Sequence, residues 1–253
     1  MLAEIIERTV ADLPELRLRQ AELIGAAEAA GAPAGFEKSL RAPGLSVIAE
    51  VKRRSPSRGT IDADLDPVIQ AGEYEAGGAV AISVLTEPHY FAGSPNDLVM
   101  VKKNAKVPVL RKDFMVDPIQ VVQAKAMGAD AILLIVACLS DADLARLLAE
   151  ADGWGLDVLV EAHTSEEARR AMDCGARIVG LNNRDLSTFD VDLATAETIA
   201  AELPNGTVRV AESGIWTVGD ARRMRDAGFD AVLVGEALVR SSDPAALIRQ
   251  FRT

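Results

Sequence analysis

Polar residues interrupt the apolar pattern of this chain at regular places. Six short runs rich in β-branched residues each stop on a residue suited to chemistry or to a turn. Ser46–Lys52 closes on Glu50 and Lys52, Val107–Lys112 on Lys112, and Leu156–Glu161 on Glu161. Arg177–Asn182 closes on Asn182, Thr207–Glu212 on Glu212, and Asp230–Gly235 on a glycine that opens a loop. Runs of this length and composition read as strands. A charge at the end of a buried parallel strand is costly unless that end faces a solvated site. One such charge would mark only where a strand surfaces. Its repetition at C-terminal ends points to a (β/α)8 barrel, whose reactive groups gather at the C-terminal mouth.

Two further runs, Ala79–Leu85 and Ala131–Val136, bring the strands to eight. Segments of helical period follow them: Pro67–Ala76, Asn96–Lys103, Pro118–Met127, Asp141–Trp154, Ser165–Asp173, Leu193–Leu203, Val218–Ala227 and Pro244–Phe251. Asp66-Pro67 and Asp117-Pro118 place a capping side chain before a proline at the first helical position. Ser165, just ahead of Glu166 and Glu167, reads as another start. Gly128, Gly175 and Gly228 each stand just past a helix, where a left-handed residue ends it. The strands begin roughly 21 to 33 residues apart, which suits βα units. At 253 residues the chain matches the ~250-residue barrel, so residues 1–253 read as a single barrel domain.

Residues 1–44 precede the first strand and read as a helical extension. Leu2, Ile5, Ile6, Thr9, Val10 and Leu13 recur at helical spacing, and an alanine-rich amphipathic stretch runs from Leu16 to Ala30. The pattern predicts two or three helices packed on the barrel, reaching Phe36 and Leu40. It leaves open whether they cover the base or help to close the mouth.

Alternation along the strands decides which groups converge. Side chains two apart share a face, so Ile48, Glu50 and Lys52 point inward while Val47, Ala49 and Val51 face the helices. The same parity turns Leu110 and Lys112, Leu159 and Glu161, Gly180 and Asn182, and Val210 and Glu212 inward. The mouth then holds two lysines and three glutamates, with Asn182 and Arg184 on one wall. Neighbouring charges force pKa values apart in such a cluster. The competing reading is a structural ion-pair network, and Glu212 is the residue it fits best. Glycines stand in the last two βα loops, in Glu212-Ser213-Gly214 and Val234-Gly235-Glu236, the common barrel position for a phosphate. Ser55, after the first strand, adds a hydroxyl. Arg53, Arg54 and Arg58 read equally as anion-steering groups or as a solvated loop.

The remaining features exclude other classes. A net charge of −11 argues against non-specific binding of nucleic acid. The longest apolar run, Ala131–Leu139, is far too short to span a membrane. Glu4 and Glu7 stand where an export signal would need positive charge. Cys138 and Cys174 lack paired spacing and read as small side chains in a reducing compartment. His89 and His163 are too few and too far apart to suggest a metal, and none is expected.

The strand ends resemble a known family. Ala49-Glu50-Val-Lys52-Arg-Arg-Ser55-Pro56-Ser57 is similar to the opening signature of indole-3-glycerol phosphate synthases. The resemblance continues through Val84–Glu87, Tyr90–Ser94, Val109–Phe114, Leu159–His163, Gly180–Leu186 and Ala211–Ile215, in order, across residues 36 to 252. It implies cofactor-free conversion of 1-(2-carboxyphenylamino)-1-deoxyribulose 5-phosphate to indole-3-glycerol phosphate, releasing carbon dioxide and water. By resemblance Lys112 is the general acid, Glu161 the base and Lys52 the partner of the anthranilate carboxylate. Glu50 and Asn182 orient hydroxyls and lysines. Phe91 and Phe114, with Leu133, Leu134 and Leu186, wall a slot for the flat ring, while Pro56 and Arg184 complete the binding surface. Ser55, Ser213, Gly214, Gly235 and the Glu236 N–H match the phosphate pocket, with the Glu236 carboxylate turned away. The resemblance further implies a cytoplasmic monomer that contacts a small phosphorylated substrate, no nucleic acid and no membrane. Association with other tryptophan-pathway enzymes is a further expectation. A phosphoribosylanthranilate isomerase-like barrel, a Schiff-base aldolase using Lys112, and a catalytically silent binding barrel stand as alternatives.

Overall fold

The computed structural model describes residues 1–185 and 188–253. Eight parallel strands close on themselves: β1 Ser46–Val51, β2 Ala81–Leu85, β3 Val109–Lys112, β4 Ala131–Ile135, β5 Asp157–Ala162, β6 Ile178–Asn182, β7 Val208–Glu212 and β8 Ala231–Val234. Each pairs with its chain neighbours, and β8 closes the ring on β1 through Ser46↔Ala231 and Ala49↔Val234. The helices that follow are α4 Pro67–Gly77, α5 Pro95–Asn104, α6 Pro118–Ala126, α7 Asp141–Gly153, α8 Ser165–Asp173, α9 Leu193–Ala200, α10 Val218–Asp226, α11 Glu236–Val239 and α12 Pro244–Phe251. Before the barrel come α1 Leu2–Leu18, α2 Gln20–Ala29 and α3 Phe36–Leu40. A fold of alternating strands and helices with a closed parallel sheet is the (β/α)8 barrel that the spacing predicts.

Strand parity divides the core into two layers. Ile48, Leu110, Leu133, Leu159, Val210 and Leu233 pack inside the barrel. Val47, Ala49, Val51, Ile82, Val160 and Val232 pack between the barrel and its helices. Leu134 corrects an expectation: it is fully buried in the outer layer, so it cannot wall the slot. Adjacent strand residues point to opposite faces, and the inward neighbour of Leu133 is Ile135.

The local signals act largely as read. Asp66 and Asp117 accept the Ile69 and Ile119 N–H groups at 3.0 Å each, ahead of their prolines. Gly128, Gly175 and Gly228 take positive φ after their helices, a conformation only glycine adopts without strain. Element ends shift by up to three residues, and two local details differ in kind. The cap of α8 is Thr164, not Ser165, with its hydroxyl accepting the Glu167 N–H at 3.1 Å. The run from Ala131 leaves the sheet after Ile135, and Val136–Cys138 turns as a short 3-10 helix.

The N-terminal extension reaches both ends of the barrel. α3 lies at the base, where Phe36 and Leu40 join the interior layer with no exposed surface. Burying side chains of this size contributes roughly 1.5–3 kcal/mol each. Asp130 and Asp157, at the start of β4 and β5, accept the Ala34 and Glu37 N–H groups at 2.6 and 2.9 Å and hold this segment in place. α2 lays Leu23 and Ala27 against Ile119 and Val122 of α6. α1 then runs to the opposite end, where Met1, Leu2 and Ile5 line the cavity at the mouth.

Candidate active site

The strand-end charges meet at the mouth. The Lys112 ammonium, at the end of β3, lies 3.0 Å from Glu161 Oε2 on β5 and 3.1 Å from Glu212 Oε2 on β7. Asn182 on β6 donates through Nδ2 to Glu161 Oε1 at 3.0 Å. On the other side Lys52 Nζ lies 2.5 Å from Glu50 Oε1. These groups form the floor of a cavity of about 190 Å³. Phe91, Phe114, Leu85, Leu133 and Ile135 give it an apolar wall, while Ser55, Ser213, Gly214 and Gly235 face it from the first and last two loops. The Phe91 and Phe114 rings are tilted at 40° with centroids 6.0 Å apart.

The cluster sorts its own protons. Burial disfavours the charged form of Lys112, but Glu161, Glu212 and Glu50 outweigh it and raise the pKa well above that of a free amine. Burial also acts against the Glu161 carboxylate, yet Lys112, His163 and Asn182 hold its pKa well below the usual range. Glu212 goes the other way. Burial, reinforced by the charge of Glu161, overcomes Lys112 and pushes it up to about 8. Near neutral pH the floor thus carries a charged ammonium, an ionised carboxylate and a carboxyl that keeps its proton.

The opposite end is built from backbone. Ser213 and Gly214 both take left-handed φ values, +63° and +82°. A Cβ on Gly214 would stand 2.6 Å from Val191 Cγ1, and one on Gly235 would stand 2.5 Å from Glu50 Oε1. The Ser55 hydroxyl is buried without a hydrogen-bond partner among the described residues. Glu236, the first residue of α11, sends its carboxylate to Arg240 at 2.9 Å, with Arg58 at 4.0 Å. Pro56 and Arg184 also line the cavity. Arg184 donates to the Phe189 carbonyl at 3.1 Å, and burial followed by repulsion from Arg58 lowers its pKa. Leu186 lies outside the described residues.

Sequence comparison decides between barrels. The family described as indole-3-glycerol phosphate synthase matches residues 2–251. An indole-3-glycerol phosphate synthase of Mycobacterium avium strain 104 is 46% identical over 255 residues, covering 100% of this chain and 94% of that protein. One from Koribacter versatilis is 48% identical over 222 residues, covering 87% of this chain and 85% of its own. The chain belongs to the indole-3-glycerol phosphate synthase family. It is a carboxy-lyase of tryptophan biosynthesis, and it acts on a small phosphorylated substrate. Solved structures give the fold alone: a 3-hexulose-6-phosphate synthase superposes with a TM-score of 0.65 at 18% identity, covering 82% of this chain and 98% of the other. A thiamine phosphate pyrophosphorylase from Pyrococcus furiosus gives 0.63 at 19% identity, covering 84% and 96%.

Several residues that shape this synthase mouth carried either no role or an undecided one in the sequence. The Glu87 carboxylate accepts the N–H groups of His89, Tyr90 and Phe91 at 2.7–2.9 Å and so folds the loop that presents Phe91. Arg53 pairs with Asp97 at 2.5 Å, and Arg54 donates to the His89 and Tyr90 carbonyls. These two arginines are not loose in solvent; they tie the first loop to the second. Asn183 donates to the Glu212 and Ser213 carbonyls at 3.0 and 3.1 Å, holding the seventh loop in its strained turn. Gly180 is inward and leaves room for Glu212, because a Cβ there would lie 2.1 Å from Glu212 Oε1. Inward parity beside a carboxylate strand end was the available signal for Gly180. The others depend on contacts between loops, which a one-dimensional pattern does not show.

Proposed function

We propose that the chain closes the indole ring by acid–base chemistry at the barrel mouth, with Lys112 as acid and Glu161 as base. The observation that carries this reading is the Lys112 ammonium held between Glu161 and Glu212 at the floor of the cavity. The substrate phosphate sits against Ser55, Ser213, Gly214, Gly235 and the Glu236 N–H. Its anthranilate ring lies along Phe91, Phe114 and Leu133, with Pro56 and Arg184 bounding the site. Lys52, aligned by Glu50, meets the ring carboxylate.

The reaction then runs in three parts. The aryl carbon bearing the carboxylate attacks the ketone carbon, and Lys112 gives a proton to the ketone oxygen as charge develops there. Carbon dioxide leaves and its bonding pair restores the aromatic ring. Glu161 removes a proton while the new hydroxyl departs as water, which requires a proton donor beside it. Glu212, with a pKa near 8, can serve as that local proton source, a wider role than an ion-pair partner. Asn182 keeps Glu161 turned toward the cavity.

Mixing the chain with the carboxyphenylamino-deoxyribulose phosphate should form indole-3-glycerol phosphate, read by its fluorescence, and carbon dioxide in equal amounts. Carbon dioxide without indole-3-glycerol phosphate, or neither, would remove this reading. A Schiff-base aldolase would need Lys112 as a free amine, which its carboxylate neighbours oppose. Borohydride added during turnover should therefore leave the mass of the chain unchanged; an adduct on Lys112 would revive the aldolase. We also infer a cytoplasmic monomer able to meet other tryptophan-pathway enzymes, and sedimentation of the purified chain tests the monomer. Among the described residues, no helix is long and apolar enough to cross a membrane.

A further inference from the structure

Behind Glu161, away from the cavity, a histidine is held between two carboxylates. The link from β5 to α8 is only His163 and Thr164, so the position of His163 is fixed by both elements. Its side chain is 9% exposed. Nδ1 lies 3.2 Å from Glu167 Oε2, and Nε2 lies 3.3 Å from Glu161 Oε1, close enough for an ion pair though not aligned as a hydrogen bond. Glu167 Oε2 also accepts the His163 backbone N–H at 2.7 Å. That backbone bond together with the Thr164 cap already ties down the start of α8. The imidazole therefore does something beyond helix capping.

We propose that Glu167 and His163 form a charged relay that fixes the Glu161 carboxylate from behind in its anionic form. This rests on the assignment of Glu161 as the base. His163 does not line the cavity, so it is a positioning residue. The groups facing Glu161 from the packed elements are Lys112 on β3, Cys138 in the turn after β4, Asn182 on β6 and Glu212 on β7. Lys112 and Asn182 hold it from the cavity side, and Glu212 repels it. His163 supplies positive charge beside Oε1, the same oxygen that accepts from Asn182. Burial disfavours that charge, but the close Glu161 and Glu167 carboxylates outweigh it and raise the His163 pKa to about 10. Arg170 faces Glu167 from one turn along α8 and supports its ionisation.

The chain has 2 histidines, so the relay can be read directly by NMR of the imidazoles in the whole protein. The exposed His89 is assigned with His89→Gln. The His163 signal should remain that of an imidazolium to beyond pH 8, and in Glu161→Gln it should titrate at lower pH, because coupling between two sites is reciprocal. A His163 that titrates near the ordinary value of 6.5 in the parent, or that ignores Glu161→Gln, overturns the relay. The kinetic counterpart is His163→Gln. Turnover should fall with little change in KM, and the acid limb of kcat/KM should move up by about one pH unit, a tenfold gain in the proton affinity of Glu161. A merely structural histidine would lower activity at every pH and leave that limb in place, which contradicts the proposal. Glu161→Gln separates the two readings. If it turns over like the parent, both the base and the relay fall. If it is slow while His163→Gln keeps the parent's limb, only the relay falls. Should His163→Gln not fold, the NMR titrations of the parent and Glu161→Gln carry the decision.

Discussion

Lys112, Glu161 and Glu212 are chemically simple residues made different by a few ångströms of surroundings. Glu161 is contacted by Lys112, Asn182 and His163, whereas Glu212 has one oxygen on Lys112 and the other without a hydrogen-bond partner among the described residues. That asymmetry separates two carboxyls, on strand ends either side of β6, into an anion and a proton carrier. A stability effect follows. Glu212 keeps its proton in the folded chain to about pH 8, against 4.5 for the ordinary group. Its contribution is complete below pH 4.5 and is lost as pH rises through 8, because the folded state must then charge a buried site. Glu212→Gln removes this dependence. Its denaturation midpoint relative to the parent should therefore rise between pH 5 and pH 8.5, and a constant difference would show that Glu212 ionises normally. The convergence of these groups was legible from parity alone. Their proton order was not, since it depends on which carboxylate gains partners across strands.

At the scale of elements, the final two βα loops show how backbone makes room for an anion. Gly235 lets the chain pass close to the Glu50–Lys52 pair; a Cβ would stand 2.5 Å from one and 3.0 Å from the other. Gly235→Val should raise KM by roughly tenfold or more, the loss of about one charged hydrogen bond. Inorganic phosphate should compete with substrate in the parent and much more weakly in the variant. Unchanged phosphate competition would move the phosphate elsewhere. Strands and helices were legible to within three residues because period and caps are local. Leu134 was misread as a cavity wall because it shares an apolar run with Leu133, although neighbours on a strand face opposite ways. The roles of Glu87, Arg53 and Arg54 escaped because loop-to-loop bonds leave no periodic trace.

Across the whole molecule, stability and chemistry occupy opposite ends. Phe36 and Leu40 plug the base, while α1 brings Met1, Leu2 and Ile5 to the mouth. Helical period in residues 1–44 showed that the extension is helical; its destinations depend on the Asp130 and Asp157 anchors and could not be read from period. Phe36→Ala should cost about 3–5 kcal/mol of stability, as for other buried aromatics. Its turnover per folded molecule should match the parent, and a lowered turnover at full folding would show that the base reaches the site. The acid–base assignment itself is tested most directly by single-turnover mixing with the carboxyphenylamino-deoxyribulose phosphate, followed by indole fluorescence. Lys112→Met and Glu161→Gln should each fold as the parent does and form the indole product about 10²–10⁴-fold more slowly. Indole formation by either variant within tenfold of the parent rate would contradict the account.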